Sequence, residues 1–432
     1  MNLYAALRYL DSHTNLEATA GRAEGLSLDR MRRLASVLGD PQLAYPVIHI
    51  TGTNGKGSVA RMITSLLEAC GLSVGTYTSP HLEVINERIS WNGEPIGDDE
   101  LAGAIGAVAA VEEVAGVTPS YFEILTAAAF GWFAEVAVDV AVVEVGMLGR
   151  FDATNVADGV VAVLTNVGQD HTDGTGSWRA AIADEKVGIV KPGATFVCGE
   201  TDPELRDILL ATEAEATWFR GEQFDCEQSL LALGGRNVSL RTPNGTVDDV
   251  YIPLHGEHQA DNAAVALAAV EAFFDRSIED DIVQEAFASV RVPGRFEIVQ
   301  REPTVVLDAA HNLDGARACA RTLQEEFALT GTIVVVAGFL RGRDPAEMLE
   351  ALGARDAGFL IACTPDSPRA IPAPEVAAAA SGLGIVAEAI SSVDEAVHRA
   401  LGLASSDDLV LITGSLYVVG PARTLIRTEV EA

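Results

Sequence analysis

Residues 47–58 read VIHITGTNGKGS. Val47 to Thr51 is a short, β-branched, mostly apolar run, the pattern of a strand buried in a parallel sheet. The next stretch, Gly52 to Gly57, holds three glycines and one lysine, and Ser58 follows it. Val59, Met62, Ile63, Leu66, Leu67 and Cys70 then recur at helical spacing, and Gly71 is a natural stop. Strand, Gly/Lys loop and helix together are the context a phosphate-binding loop requires. Glycines let backbone N–H groups approach phosphate oxygens, and the helix N-terminus adds partial positive charge. Lys56 is then expected to present a point charge to β- and γ-phosphates, and Ser58 to offer its hydroxyl to Mg²⁺. The loop departs from the common G-x-x-x-x-G-K-[ST] pattern, because Ile50 takes the place of the first glycine and Gly57 separates lysine from serine. An ordinary strand-to-helix turn is the alternative; the flanking strand and helix favour a nucleotide.

Bulk properties narrow the rest. A chain of 432 residues is long for one core, so two domains are expected. A hydrophobic content of 48% with 21% charged residues is that of a compact globular chain. The net charge of −33 disfavours nonspecific binding to nucleic acid or anionic lipid, so any phosphate site must be built locally. Only Lys56, Lys186 and Lys191 are lysines, which singles each of them out. Cys70, Cys198, Cys226, Cys319 and Cys363 are scattered, without metal-ligand spacing, as expected of free thiols in a reducing compartment. The opening MNLYAALRYLDS lacks a basic region and a cleavable apolar core, and no apolar run reaches membrane-spanning length. A soluble cytoplasmic enzyme is the expectation.

Upstream of the loop, Tyr4, Leu7 and Leu10 mark one helix and Leu28, Met31, Leu34 and Leu38 a second, with a polar loop around Thr19 to Gly25 between them. Downstream, SVGTYTSPHL (73–82) reads as a strand that leaves Ser79 and His81 at its carboxyl edge, where open α/β sheets bind ligands. EVINERISWNGEPIG (83–97) reads as a loop or hairpin, and 99–116 and 120–135 as helices, the second carrying Glu123 and Thr126. DVAVVEVG (139–146) is, after Asp139, an apolar run broken only by Glu144 near its end, the placement of a Walker-B acid facing a metal. VVAVLTNVGQDH (160–171) repeats the design and ends on Asn166, Asp170 and His171, which makes His171 a metal-ligand candidate beside Glu144. Residues 178–190 are expected to form a helix carrying Lys186. From Thr195 to Leu254 the runs at Phe196–Gly199, Ser229–Leu233, Val238–Thr242 and Val250–Leu254 suggest small antiparallel strands. HGEHQADNAAVALAAVEAFF (255–274) then opens a helix with His258, Gln259, Asp261 and Asn262. A domain break is expected near Val292-Pro293-Gly294, followed by alternating strands and helices in a mostly parallel, Rossmann-like sheet without G-x-G-x-x-G. Asp308, His311 and Asn312 fall just past the first strand of that sheet.

Taken together, ITGTNGKGS, YTSPHL with NERI, YFEILTAAAF, VVEVG with GRFDATN, TNVGQDHT, DEKVGIVKPG, HGEHQADNAA, VPGRFE, LDAAHNLDGA and GSLY resemble the folylpolyglutamate synthase/dihydrofolate synthase family of the Mur-ligase superfamily. The resemblance runs from about Leu28 to Gly420. It implies an α/β fold: an N-terminal P-loop, Mur-ligase-like ATPase domain with a small antiparallel β region (1–292), and a C-terminal Rossmann-like glutamate-ligase domain (293–432). It also implies a ligase that joins L-glutamate to dihydropteroate or to the γ-carboxylate of a folate, using ATP and Mg²⁺, usually as a monomer.

By that resemblance Gly52, Thr53, Asn54, Gly55, Lys56, Gly57 and Ser58 hold the phosphates, and Ser58, Ser79, Glu144 and His171 ligate magnesium. Lys186 is similar to the lysine this superfamily carbamylates to support a second Mg²⁺. Gln259 and Asn262 resemble adenine and ribose contacts, Arg295 a γ-phosphate contact, and Asp308 and His311 groups that close on the nucleotide. Ser415 resembles a residue that places glutamate; Phe122, Glu123 and Asp152 resemble pterin or folate contacts. Three positions depart from the family pattern: Leu148 stands where glycine is usual, Leu313 replaces a proline, and GFLRGRDP (338–345) lacks an Asp-Lys-Asp run. A dihydrofolate synthase alone and a peptidoglycan-precursor ligase are the neighbouring readings. A P-loop kinase or a nucleotide-gated binding protein is the reading from a different class.

Overall fold

The computed structural model of the chain describes residues 1–15, 17, 27–169, 176–327 and 331–431. The polar loop expected at 19–25, Asp170 and the metal-ligand candidate His171 lie outside the described residues. The chain divides into two compact units: Met1–Ala232 with Arg236–Pro253 and Gln259–Val290, and Arg291–Ala432 with Leu233–Gly235 and Leu254–His258.

In the first unit the chain runs through α1 (Leu3–Asp11), α2 (Asp29–Val37), β1 (Val47–Thr51), α3 (Lys56–Ala69), β2 (Val74–Tyr77), β3 (Ile89–Trp91) and β4 (Glu94–Pro95). It continues through α4 (Asp98–Ala115), α5 (Tyr121–Glu135), β5 (Val140–Glu144), β6 (Gly159–Leu164), α6 (Trp178–Val187), β7 (Thr195–Cys198), α7 (Arg206–Leu210) and β8 (Ala216–Phe219). The hairpin strands β9 (Asp225–Ala232), β10 (Gly235–Thr242) and β11 (Gly245–Ile252), then α8 (Glu257–Phe274) and α9 (Asp280–Ser289), complete it.

Eight strands form one sheet in the order β4-β3-β2-β5-β1-β6-β7-β8. β1 is central and buried on both faces, Ile48 and Ile50 on one and Val47, His49 and Thr51 on the other, and it pairs in parallel with β5 and β6. The register sets Ile50 beside Glu144 and Thr51 beside Leu164, so three strands end at one level. Strand order reverses around β1, the position at which open α/β sheets leave a crevice at their carboxyl edge. One face of the sheet packs on a core that includes Leu10, Leu34, Ile105, Phe130 and Phe133 from α1, α2, α4 and α5.

Three expectations need correction here. Tyr4 faces out at 70% exposure, since the buried stripe of α1 is formed by Ala6 and Leu10. The Phe196–Gly199 run is not antiparallel: β7 pairs in parallel with β6, and β8 extends the same sheet, so within 195–254 the separate antiparallel sheet is β9–β11. α6 ends at Val187 rather than near Val190, with Gly188 as its cap.

The second unit contains β12 (Glu297–Arg301), β13 (Thr304–Asp308), α10 (Leu313–Glu326), β14 (Ile333–Ala337), α11 (Pro345–Ala351) and β15 (Phe359–Ala362). α12 (Ala373–Gly382), β16 (Ala387–Ala389), α13 (Val393–Leu403), β17 (Leu409–Thr413) and α14 (Leu416–Glu431) follow. Its six strands lie in the order β12-β13-β17-β14-β15-β16, parallel except for β12, which returns as a hairpin against β13. Asp308 and Ala337 both pair with Thr413, so the ends of β13, β17 and β14 share one edge. The stretch after Gly414 starts α14 rather than extending the strand, and the Ser415 hydroxyl accepts from the Tyr417 N–H at its first turn.

Candidate active site

The carboxyl end of β1 delivers the Gly/Lys loop into the crevice. Gly52 (φ +153°) and Gly55 (φ +82°) adopt backbone conformations that disfavour a side chain. A Cβ on Gly52 would overlap the Thr165 hydroxyl, and one on Gly55 would lie 2.6 Å from Asn262 Oδ1. The loop is also fastened from β6. The Thr165 hydroxyl and Asn166 Nδ2 both donate to the Asn54 carbonyl (2.6 and 3.1 Å), while Asn54 N–H donates to Asn166 Oδ1 (3.0 Å). Thr53 N–H donates to the Asn166 carbonyl at 3.0 Å, and Gly168 N–H donates to the Thr53 hydroxyl at 3.0 Å. The loop is therefore held in shape by protein contacts, which reduces the ordering a bound phosphate must impose. Lys56 Nζ arches over the loop and donates to the carbonyls of Gly52 (3.2 Å) and Thr53 (3.3 Å).

Glu144 ends β5 and is 4% exposed. Its Oε2 accepts from Ser79 N–H at 3.3 Å and lies 3.6 Å from the position a Cβ on Gly57 would take. Ser58, in the same helical turn as Gly57, is buried too. Glu144, Ser79 and the start of α3 thus converge. A carboxylate with serine hydroxyls from Ser58 and Ser79 would offer hard oxygens of the kind that suit Mg²⁺, which completes its shell with waters and substrate phosphates. Among the described residues no three His, Cys, Asp or Glu side chains gather into a dedicated metal cage. Lys186, near the end of α6, is 4% exposed and lines a cavity together with Gly52, Thr53, Lys56 and the 146–148 turn.

That turn carries a feature the sequence only hinted at. Leu148 has φ +60°, in the left-handed region, where a non-glycine residue costs about 1–2 kcal/mol. The backbone at Leu148 therefore stands in a conformation that favours glycine. The turn is held by its surroundings: Leu148 carbonyl accepts from the Thr51 hydroxyl (2.5 Å), and Met147 N–H donates to Asp152 Oδ2 (2.9 Å).

Asp152 also accepts from Thr154 N–H (3.0 Å) and the Thr154 hydroxyl (2.5 Å), capping the 3₁₀ turn Ala153–Val156. Burial pushes its carboxyl up to about 6, against the downward pull of these hydrogen bonds. Since the Thr154 hydroxyl donates to Asp152, His49 Nε2, 2.8 Å from that oxygen, must carry a proton and donate to it. His49 Nδ1 is then a buried acceptor without a partner among the described residues. Burial, reinforced by the Lys191 charge, holds this imidazole down at about 3, so it is neutral. The Asp152–Thr154–His49 chain was missed in the sequence, where a histidine inside a strand reads simply as part of the strand.

Of the other candidates, the Phe122 ring fills the space a side chain at Gly146 would need and stacks obliquely on Tyr77 at 5.9 Å. Glu123 closes a capping box with Ser120 and meets Arg30 Nε at 3.2 Å. Both are at the start of α5, with Phe122 against the turn that follows Glu144. Asn262 Nδ2 donates to Gln259 Oε1 at 2.9 Å, so this pair on α8 is joined and reaches Gly55.

In the second unit, Asp308 is half-buried at the end of β13 and accepts from the N–H groups of Phe296 and Ala310 (both 2.9 Å). Burial raises its pKa, and the Arg295 charge opposes that shift. Arg295 donates to the Ala309 carbonyl at 3.1 Å, and His311 Nδ1 lies 3.0 Å from the same oxygen. Arg295, Asp308 and His311 are thus one cluster. Ser415 follows β17 on the same edge, next to Thr413, whose buried hydroxyl has no partner among the described residues.

The Mur ligase middle domain model matches residues 50–270, and the Mur ligase glutamate ligase domain model matches residues 294–416. The dihydrofolate synthase/folylpolyglutamate synthase of Mycobacterium tuberculosis is 40% identical over 92% of this chain and 90% of its own length. A solved structure of the Mycobacterium tuberculosis folylpolyglutamate synthase complexed with ADP and AMPPCP superposes with a TM-score of 0.91 at 37% identity, covering 98% of each chain. A bifunctional folylpolyglutamate synthase/dihydrofolate synthase with Mn, AMPPNP and L-glutamate bound gives 0.87 at 28% identity, covering 99% of this chain and 98% of that one. This chain belongs to the folylpolyglutamate synthase/dihydrofolate synthase family of Mur ligases.

Proposed function

We propose that this protein is an ATP-dependent ligase that joins L-glutamate to dihydropteroate and to the γ-carboxylate of a reduced folate. The observation that carries the reading is a cavity lined by the Gly/Lys loop and Lys186, with Glu144 set against Gly57 at the end of the same loop, in a chain of this family. A carboxylate is a poor electrophile, so it first attacks the γ-phosphorus of ATP, giving an acyl phosphate and ADP. The glutamate nitrogen then attacks the carbonyl carbon, the C–O bond to phosphate breaks, and the amine proton leaves with the products.

The residues of this chain bind and orient the reactants. The loop N–H groups of Gly52 to Ser58 and the Lys56 ammonium take the phosphates. Gln259 and Asn262 take the nucleoside, and Phe122, Glu123 and Asp152 border the pterin side. Ser58, Ser79, Glu144 and His171 are assigned to hold Mg²⁺, which when bound neutralises phosphate charge. By the family resemblance Arg295, Asp308 and His311 are assigned nucleotide-binding roles and Ser415 a role in placing glutamate. Residues 1–292 and 293–432 are taken as the two functional domains; the spans matched by the two family models support that division.

Lys186 is proposed to be carbamylated: its neutral amine adds CO₂, releases a proton and becomes an anion. Its burial beside Lys56 supports this, because two ammonium groups on one small cavity repel each other. The enzyme is taken to be a cytoplasmic monomer, which a sedimentation run giving a dimer would reject. No described helix is long and apolar enough to cross a membrane. The activity is tested by ADP release with dihydropteroate or tetrahydrofolate, with and without L-glutamate. Strict glutamate dependence is expected; equal release without it would point to a kinase or an ATPase.

A further inference from the structure

We propose that the Leu148 side chain shields the reacting acyl phosphate from water, so that Leu148 governs how tightly ATP consumption is coupled to ligation; this rests on the ligase reading above. Three observations carry it. The backbone at 148 is left-handed, a conformation that glycine adopts freely and leucine resists, so the backbone does not call for this side chain.

The turn is also locked from both sides, which fixes where the side chain stands. Thr51 at the end of β1 holds the Leu148 carbonyl, and Arg150 N–H donates to the Glu185 carbonyl of α6 at 2.8 Å. Gly149 approaches α6 so closely that a Cβ there would lie 2.8 Å from the carbonyls of Glu185 and Lys186. Leu148 is thereby fixed between the phosphate loop and the helix that carries Lys186.

Finally, Leu148 is half-buried: it packs on the apolar cluster of Val145, Ile182, Val187 and Ile189 and also lines the cavity with Lys56 and Lys186. An apolar wall next to two lysines stabilises neither charge directly. It does exclude water and lower the local dielectric, which strengthens the hold of those groups on phosphate.

The chemistry makes shielding measurable. If a water oxygen attacks the acyl phosphate in place of the glutamate nitrogen, the bond to phosphate still breaks. The carboxylate is regenerated, phosphate and a proton are released, and one ATP has been hydrolysed without product. A shield is therefore read out as the ratio of ADP to glutamylated product, a quantity that a purely structural role for Leu148 would leave unchanged.

Leu148→Gly removes the side chain and the backbone strain together, whereas Leu148→Ala removes the side chain and keeps the strain. Leu148→Met keeps an apolar group of similar volume. With saturating dihydropteroate or tetrahydrofolate and glutamate, wild type should form about one product per ADP, and the Gly and Ala variants should raise the ADP-to-product ratio about threefold or more. Met should restore coupling. The Gly variant should melt no lower than wild type and the Ala variant lower, so a common uncoupling cannot be assigned to misfolding. Gly and Ala variants that stay coupled one to one, however slow, would overturn the shield. Wild-type ADP release that ignores glutamate would overturn the ligase reading, and the shield with it.

Discussion

Gly52→Ala tests how far nucleotide binding depends on the loop being shaped in advance. The new methyl would overlap the Thr165 hydroxyl and lie 3.0 Å from Thr165 Cβ, at a residue whose φ is +153°. Holding alanine in such a conformation costs about 1–3 kcal/mol. Displacing Thr165 also loses its 2.6 Å hydrogen bond to Asn54, worth about 1 kcal/mol. The sum is about 2–4 kcal/mol against the binding-competent loop, or a roughly thirty- to several-hundred-fold weaker ADP affinity. Global stability should suffer less, because the loop can let go of Thr165 while the sheet stays intact; a drop in Tm of about 2–4 °C is expected. Calorimetric titration with Mg·ADP and thermal melts of the same samples separate the two effects. Thr165→Ala in the same chain removes the overlap, so the double variant should bind better than the sum of the single losses allows. ADP binding by Gly52→Ala within threefold of wild type, or strictly additive losses, would refute the reasoning.

His49 makes a prediction about pH. Its folded pKa is depressed from 6.5 to about 3, so below pH 6.5 only the unfolded chain takes up the proton. Its stabilising contribution is full above about 6.5 and is lost as pH falls toward 3, about 2 kcal/mol by pH 5. Asp152 works in the opposite sense below about 6, and His49→Gln keeps an N–H donor for the Thr154 hydroxyl that bonds it, so that contribution is common to both proteins. Urea melts at pH 7 and pH 5 should therefore show the variant losing about 2 kcal/mol less than wild type, and equal losses would reject the neutral buried imidazole. For Lys186, replacement by alanine should abolish ligation, and added short-chain carboxylic acids should restore part of it in a rate assay. Full activity of the unrescued variant would remove the carbamate role.

The legible parts of the chain were those where one local pattern served one purpose. Val47–Thr51 followed by the Gly/Lys loop and the α3 stripe could be read without partners, because burial, turn chemistry and helix spacing all agree there. Glu144 stood out as the single charge at the end of a buried run. What escaped depended on contacts distant in sequence. Thr165 and Asn166 brace Asn54 from more than a hundred residues away, and nothing in their own neighbourhood announces that task. β7 read as antiparallel because a four-residue run carries no sign of which neighbour it will pair with. The antiparallel edge strand β12 and the C-terminal helix α14 were lost for a similar reason: Glu297–Arg301 is only half-buried, and Leu416–Gly420 is apolar enough to pass for more strand. Leu148 was visible as an oddity, but only the backbone angle gave it a physical meaning.

The central claim is that this chain converts a carboxylate into a mixed anhydride with phosphate before the amine arrives. Labelling both carboxylate oxygens of dihydropteroate or of the folate γ-carboxyl with oxygen-18, and examining the released inorganic phosphate by mass spectrometry, tests this most directly. The account predicts that one labelled oxygen passes into each phosphate formed in step with the glutamylated product. Unlabelled phosphate from a reaction that still makes the amide would contradict it.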